Sequence, residues 1–98
     1  MNESVTENGP EHVSVTVKFV STMQKYSGDK REIAMDLPGD PARAINIIID
    51  RYQIPWADNL ERIVRIFINQ TLYELFVEKG ERLKDKDTIA FIPLSGGG

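Results

Sequence analysis

Only one long stretch of the chain carries a helical period. Ala42, Ile45, Ile48, Ile49 and Tyr52 recur at spacings of three and four, while Arg43, Asp50 and Arg51 fall off that stripe. Asp40-Pro41 supplies an N-cap and a proline at the first helical position, where its missing N–H costs nothing, and Ile54-Pro55 ends the helix. One long helix has one apolar stripe to bury and no second helix of comparable length to receive it. It must therefore lie on a sheet, and the rest of the chain has to provide one.

The remaining patterned segments read as strands. Val13, Val15, Val17 and Phe19 alternate with Ser14, Thr16 and Lys18, which is a half-buried strand whose continuation puts Val20 on the polar side. Ser21 to Ser27 makes a short helical turn closed by Gly28-Asp29, and residues 31–37 alternate again through Ile33, Met35 and Leu37, a hairpin partner for the first strand. After the helix, Trp56 to Glu61 connects, with Trp56 as a lid on the core. Residues 63–69 form the most β-branched run, with Val64, Ile66 and Ile68 on one face and Arg65, Phe67 and Asn69 on the other. Asn69-Gln70 turns the chain, and Leu72 to Val77 adds a short strand or an irregular crossing. Leu83 is buried, and the Asp85-Lys86-Asp87 segment turns in solvent rather than holding a metal. Ile89 to Ile92 is the last strand.

Two strands, one long helix, then further strands with the last closing the domain define an α+β fold of the β-grasp arrangement, a mixed sheet with the main helix across one face. In that arrangement the first and last strands are parallel neighbours at the middle of the sheet. Ile89 and Phe91 then share the core face with Val17 and Phe19. Ile92 and Val20 point to the opposite face, where two adjacent aliphatic side chains suggest a docking patch.

Composition narrows function mainly by exclusion. The 98 residues make one domain, and no apolar run approaches the roughly 20 residues that span a bilayer, so no membrane association is expected. With no cysteine and a single histidine, His12, there is no thiolate, no disulfide and no nucleophile–base–acid set, which suits the cytoplasm and argues against an enzyme with its own catalytic residues. The net charge of -3 is accounted for by Glu3, Glu7 and Glu11. The remainder is neutral, so no nucleic acid partner is expected. Residues 1–12 read as a disordered polar leader, 13–94 as the domain and 95–98 as a flexible tail.

That tail ends the final strand with Pro93-Leu94-Ser95-Gly96-Gly97-Gly98. Terminal glycines are often only frayed ends, yet three without side chains, directly after a strand, also make a thin lead for the carboxylate of Gly98. Residues 95–98 span at most roughly 13–14 Å. Gly96, Gly97 and Gly98 are thus candidates to enter a partner's active site.

The chain from 13 to 98 resembles the ubiquitin-like sulfur carriers, most closely the small subunit of molybdopterin synthase. The resemblance is carried by the opening strand through Phe19 and Val20, Asn69-Gln70-Thr71-Leu72, the Leu83 to Asp87 turn, and Ala90-Phe91-Ile92-Pro93 leading to Gly97-Gly98. It implies a carrier that binds no cofactor itself. A ubiquitin-activating-type enzyme, using ATP and magnesium, adenylates the terminal carboxylate, here that of Gly98. Sulfur from a sulfur donor protein then replaces AMP to give a thiocarboxylate, which the large synthase subunit uses. The resemblance also implies that Val20, Leu72 and Ile92 bind the partner. Leu94, Gly96 and Lys86 depart from the family, which commonly has proline, a non-glycine residue and glycine there. Carriers for thiamine, cysteine or tRNA thiolation, and modifiers joined to target lysines, share the same tail, and a plain β-grasp binding module remains a further alternative.

Overall fold

The computed structural model describes residues 12–94 of the chain. Strand β1 (His12–Phe19) is followed by a 3-10 helix (Ser21–Ser27), β2 (Glu32–Pro38) and the long helix α1 (Pro41–Arg51). Helical turns over Trp56–Leu60 and Glu61–Ile63 lead to β3 (Val64–Ile68), β4 (Thr71–Leu72), the short helix α2 (Tyr73–Glu78) and β5 (Thr88–Pro93). The strands form one sheet in the order β2-β1-β5-β3-β4. β1 runs antiparallel to β2 and parallel to β5, and β3 lies antiparallel to β5 on its other side. This is the β-grasp arrangement expected from the order of elements, with the first and last strands parallel at the centre.

The helix forms as its caps dictate. The Asp40 carboxylate accepts from the Arg43 N–H at 3.3 Å, and Pro41 occupies the first turn. Its buried residues are Pro41, Ala44, Ile45 and Ile48. The buried stripe therefore runs through Pro41 and Ala44 rather than Ala42, which is exposed. Ala42 lies one step round from Pro41, at the margin of that stripe. The expected strand or crossing at Leu72–Val77 resolves into two parts, β4 and then α2, which buries Phe76.

The core lies between α1 and one face of the sheet. Val15, Val17 and Phe19 from β1, Ile89 and Phe91 from β5, and Val64, Ile66 and Ile68 from β3 are buried there. In the register, Val17 stands beside Ile89 and Phe19 beside Phe91, while Phe91 also faces Ile66. Four aromatic rings run through this centre. Phe19 stacks on Phe91, Tyr52 meets Phe19 edge-on at 5.5 Å, and Trp56 meets Phe91 edge-on at 5.9 Å, so Trp56 is the expected lid.

The Asp85 to Asp87 segment is pinned by hydrogen bonds to its two carboxylates, the one from Asn69 coming from the side-chain amide. Asp85 accepts from the Ser14 N–H at 2.8 Å, and Asp87 accepts from the Lys84 N–H at 2.9 Å and from the Asn69 amide at 3.1 Å. Between the two aspartates, Lys86 is held at φ 76°, a left-handed conformation suited to glycine. Leu83 is buried as expected. Among the described residues no group of three or more His, Cys, Asp or Glu side chains is placed to hold a metal ion, and no helix is long and apolar enough to cross a membrane.

Candidate partner-docking face

The sheet face opposite α1 carries the candidate site, and strand alternation assigns its members. On β1, the N–H groups of Thr16 and Val20 donate toward β5, to Asp87 O and Phe91 O, at 3.0 and 3.1 Å. Val20 is thereby carried beyond the end of β1 and laid next to Ile92, one residue past the Phe19–Phe91 pair. Arg65 of β3 stands opposite Ile92. One row of the face thus reads Val20, Ile92, Arg65.

The neighbouring row reads Lys18, Ala90, Phe67, Leu72, since Lys18 pairs with Ala90, Ala90 with Phe67, and Phe67 with Leu72. Val20, Ile92, Phe67 and Leu72 are all half-buried, and Ala90 between them is 8% exposed. An apolar surface two rows deep, running from the end of β1 across β5 and β3 to β4, therefore lies on the sheet's outer face. Five residues contribute to it.

The structure places Val20, Leu72 and Ile92 on the same face, Val20 beside Ile92, and Leu72 two strands from Ile92 on the far side of Phe67. Phe67 and Ala90 are additions. Phe67 was legible in the alternation, because it sits on the otherwise polar side of β3 with Arg65 and Asn69, but its place beside Ala90 and Leu72 depends on a register that sequence does not reveal. Two cations border the patch, Lys18 in one row and Arg65 in the other. Among the described residues the guanidinium of Arg65 donates to the carbonyl of its neighbour Val64, at 3.4 Å, and to no other acceptor.

The face adjoins the exit of the chain. Pro93 pairs with Val64, and the Leu94 N–H donates to Ile63 O at 2.7 Å, which ties the last described residues to the start of β3. Ile63 and Leu94 are 44% and 46% exposed, adding apolar surface at that root. Ile92 is thus only six positions from Gly98. The candidate residues Gly96, Gly97 and Gly98 lie outside the described residues, as does the leader before His12.

A five-stranded mixed sheet with its parallel pair central, one helix across the inner face and an apolar outer face next to the C-terminal exit defines a ubiquitin-like protein. The chain belongs to the ThiS family, whose model matches residues 17–98, and so to the class of ubiquitin-like sulfur carriers and small modifiers. Solved structures agree on the fold. The small archaeal modifier protein 1 of Methanosarcina acetivorans is 20% identical with a TM-score of 0.68, over 90% of this chain and 99% of that one. A protein provisionally assigned as molybdopterin converting factor subunit 1 of Pyrococcus furiosus is 21% identical with a TM-score of 0.61, over 84% and 98% of the two chains. The CysO protein in the BexX/CysO complex of Amycolatopsis orientalis is 20% identical with a TM-score of 0.63, over 86% and 99%. No curated protein matches the chain in sequence.

Proposed function

We propose that this protein carries sulfur on the carboxylate of Gly98 for molybdopterin synthesis. A carboxylate is a poor electrophile, so a ubiquitin-activating-type enzyme first joins it to AMP, consuming ATP with magnesium and releasing pyrophosphate. The acyl-adenylate is a mixed anhydride with a stable leaving group. Sulfur delivered by a donor protein at the sulfide level displaces AMP, and the resulting thiocarboxylate is presented to the large subunit of molybdopterin synthase. The carrier contributes the reactive terminus and the docking face, and its partners contribute the catalytic groups.

The observation that carries this reading is the adjacency of the apolar outer face to the chain exit. A partner seated on Val20, Phe67, Leu72 and Ile92 has residues 95–98 within its reach, at most roughly 13–14 Å beyond the anchored Leu94. The likeness to the Pyrococcus furiosus protein supports molybdopterin as the destination. The likeness to small archaeal modifier proteins from two archaea favours a second reading, in which Gly98 is joined to lysines of target proteins.

Adenylation is tested by pyrophosphate release from ATP with the activating enzyme of the same host. The full chain should support release, and a chain ending at Ser95, without Gly96, Gly97 and Gly98, should not. Equal release from both chains would sink the assignment of Gly98. The modifier reading predicts high-mass conjugates in host extracts that disappear with the same deletion.

A further inference from the structure

Strand β2 ends the sheet, and the hydrogen-bond phase of its pairing leaves one side open. The Phe19 N–H donates to Arg31 O at 2.8 Å, and the β1–β2 register continues from that point. Hydrogen-bonded pairs alternate along an antiparallel ladder, so Ile33, Met35 and Leu37 bond to β1 while Glu32, Ala34 and Asp36 direct their N–H and C=O groups away from it. Among the described residues no hydrogen bond reaches those six groups. Glu32, Ala34 and Asp36 are also exposed, and Pro38, which has no N–H, closes the edge at one end.

The side chains along this edge select what can pair with it. On the outer face, Glu32 and Asp36 place two carboxylates four residues apart with the small Ala34 between them. Toward β1 each acid already has a neighbour: Lys18 stands opposite Glu32, and the Ser14 hydroxyl donates to Asp36 at 2.9 Å. Among the described residues neither has one on the open side. A second copy of this chain, paired antiparallel so that all three outward positions are used, would set Ala34 on Ala34 and Glu32 against Asp36 twice. Like charges directly opposite destabilise a strand pair. On the inner face Ile33 is half-buried although Met35 and Leu37 are buried, so an apolar side chain laid beside it would find surface to cover.

We infer that the free edge of β2 accepts an extended peptide from a partner protein, carrying lysine or arginine at two positions four residues apart, a small or β-branched residue midway, and apolar residues between. Main-chain hydrogen bonds supply the attachment, and the two cations meeting Glu32 and Asp36 supply the choice of partner. The site stands apart from the tail reading, because β1 separates β2 from β5. A peptide on this edge leaves Val20, Phe67, Leu72 and Ile92 uncovered, so the carrier can be held at its edge while its tail is in use.

The experiment uses the full chain, labelled with 15N, and the peptide acetyl-Gly-Lys-Val-Thr-Val-Lys-Gly-amide, with a control in which both lysines are glutamate. At peptide about ten times its measured Kd, exchange of the Glu32, Ala34 and Asp36 amides should slow about tenfold. The glutamate peptide should bind at least about tenfold more weakly, and the double variant E32K/D36K should reverse that preference. Both substituted side chains are exposed; should the variant still fail to fold, the two peptides on the unmodified chain decide alone. Shifts confined to Val20, Phe67, Leu72 and Ile92, equal binding of the two peptides, or unchanged exchange at the edge would overturn the inference. Edge protection without peptide, accompanied by dimers in sedimentation, would assign the edge to a second copy instead.

Discussion

Phe19 and Phe91 stack across the central parallel strands with ring centroids 5.7 Å apart and planes 12° from parallel. Because side chains alternate along each strand, the next residues, Val20 and Ile92, emerge side by side on the opposite face. The stack that fixes the core thus also fixes the position of Val20 and Ile92, the centre of the candidate docking patch. Shortening Phe91 to alanine removes contacts with Phe19, Trp56 and the core beneath them. Phe91→Ala should cost about 3–5 kcal/mol in chemical denaturation, a large part of the roughly 5–15 kcal/mol of a domain. A cost under 1 kcal/mol would mean that the ring is not a keystone of this packing.

Phe67, by contrast, should matter to binding more than to folding. It is half-buried in the free protein and lies between Ala90 and Leu72 on the outer face. Phe67→Ser should weaken binding to the activating enzyme by at least about 30-fold, the effect of a 2 kcal/mol interface anchor, while shifting the melting temperature little. Calorimetric titration checks the first part and thermal unfolding the second.

Most of the fold was legible because its signals are local. Alternation located β1, β2 and β3, and Asp40-Pro41 located the start of α1. Ala44, four residues before Ile48, was legible in the spacing but passed over for Ala42, which lies at the margin of the stripe and is exposed. At residues 73–78 a six-residue helix buries little besides Phe76 and so lacks a repeating period. In the site, Val20 and Ile92 followed from alternation, whereas Leu72 came from resemblance and is explained by its pairing with Phe67. Nothing local announces that pairing, since it depends on how the Asn69-Gln70 turn sets the register, with Asn69 at φ 58°.

Lys86 offers a test of backbone strain. Its φ of 76° is costly for any residue with a Cβ, and its N–H is held by Ser14 O at 2.8 Å. Lys86→Gly keeps that bond and relieves the strain, so it should stabilise the protein by about 1 kcal/mol despite the larger entropy of the unfolded chain. Urea denaturation of the two proteins gives the difference directly.

Alkaline pH should expose Tyr73. Burial, and then the carboxylates of Asp40 and Glu74, hold its phenol above the ordinary value of 10.0. As pH rises past 10.0, the unfolded chain releases this proton before the folded one. Stability is therefore intact below that point and falls until the folded phenol has also ionised. Tyr73→Phe should remove this portion of the decline, visible as a shallower loss of denaturation midpoint at alkaline pH. An unchanged slope would show that other groups cause it.

The central claim, that Gly98 carries sulfur, is tested most directly by intact mass. The purified chain is incubated with ATP, magnesium, a sulfur donor and the activating enzyme of its host, then weighed by mass spectrometry. Replacement of one carboxylate oxygen by sulfur predicts a gain of roughly 16 Da, placed by fragmentation on Gly98. An unmodified mass from a chain that the same enzyme demonstrably adenylates would contradict the sulfur-carrier account.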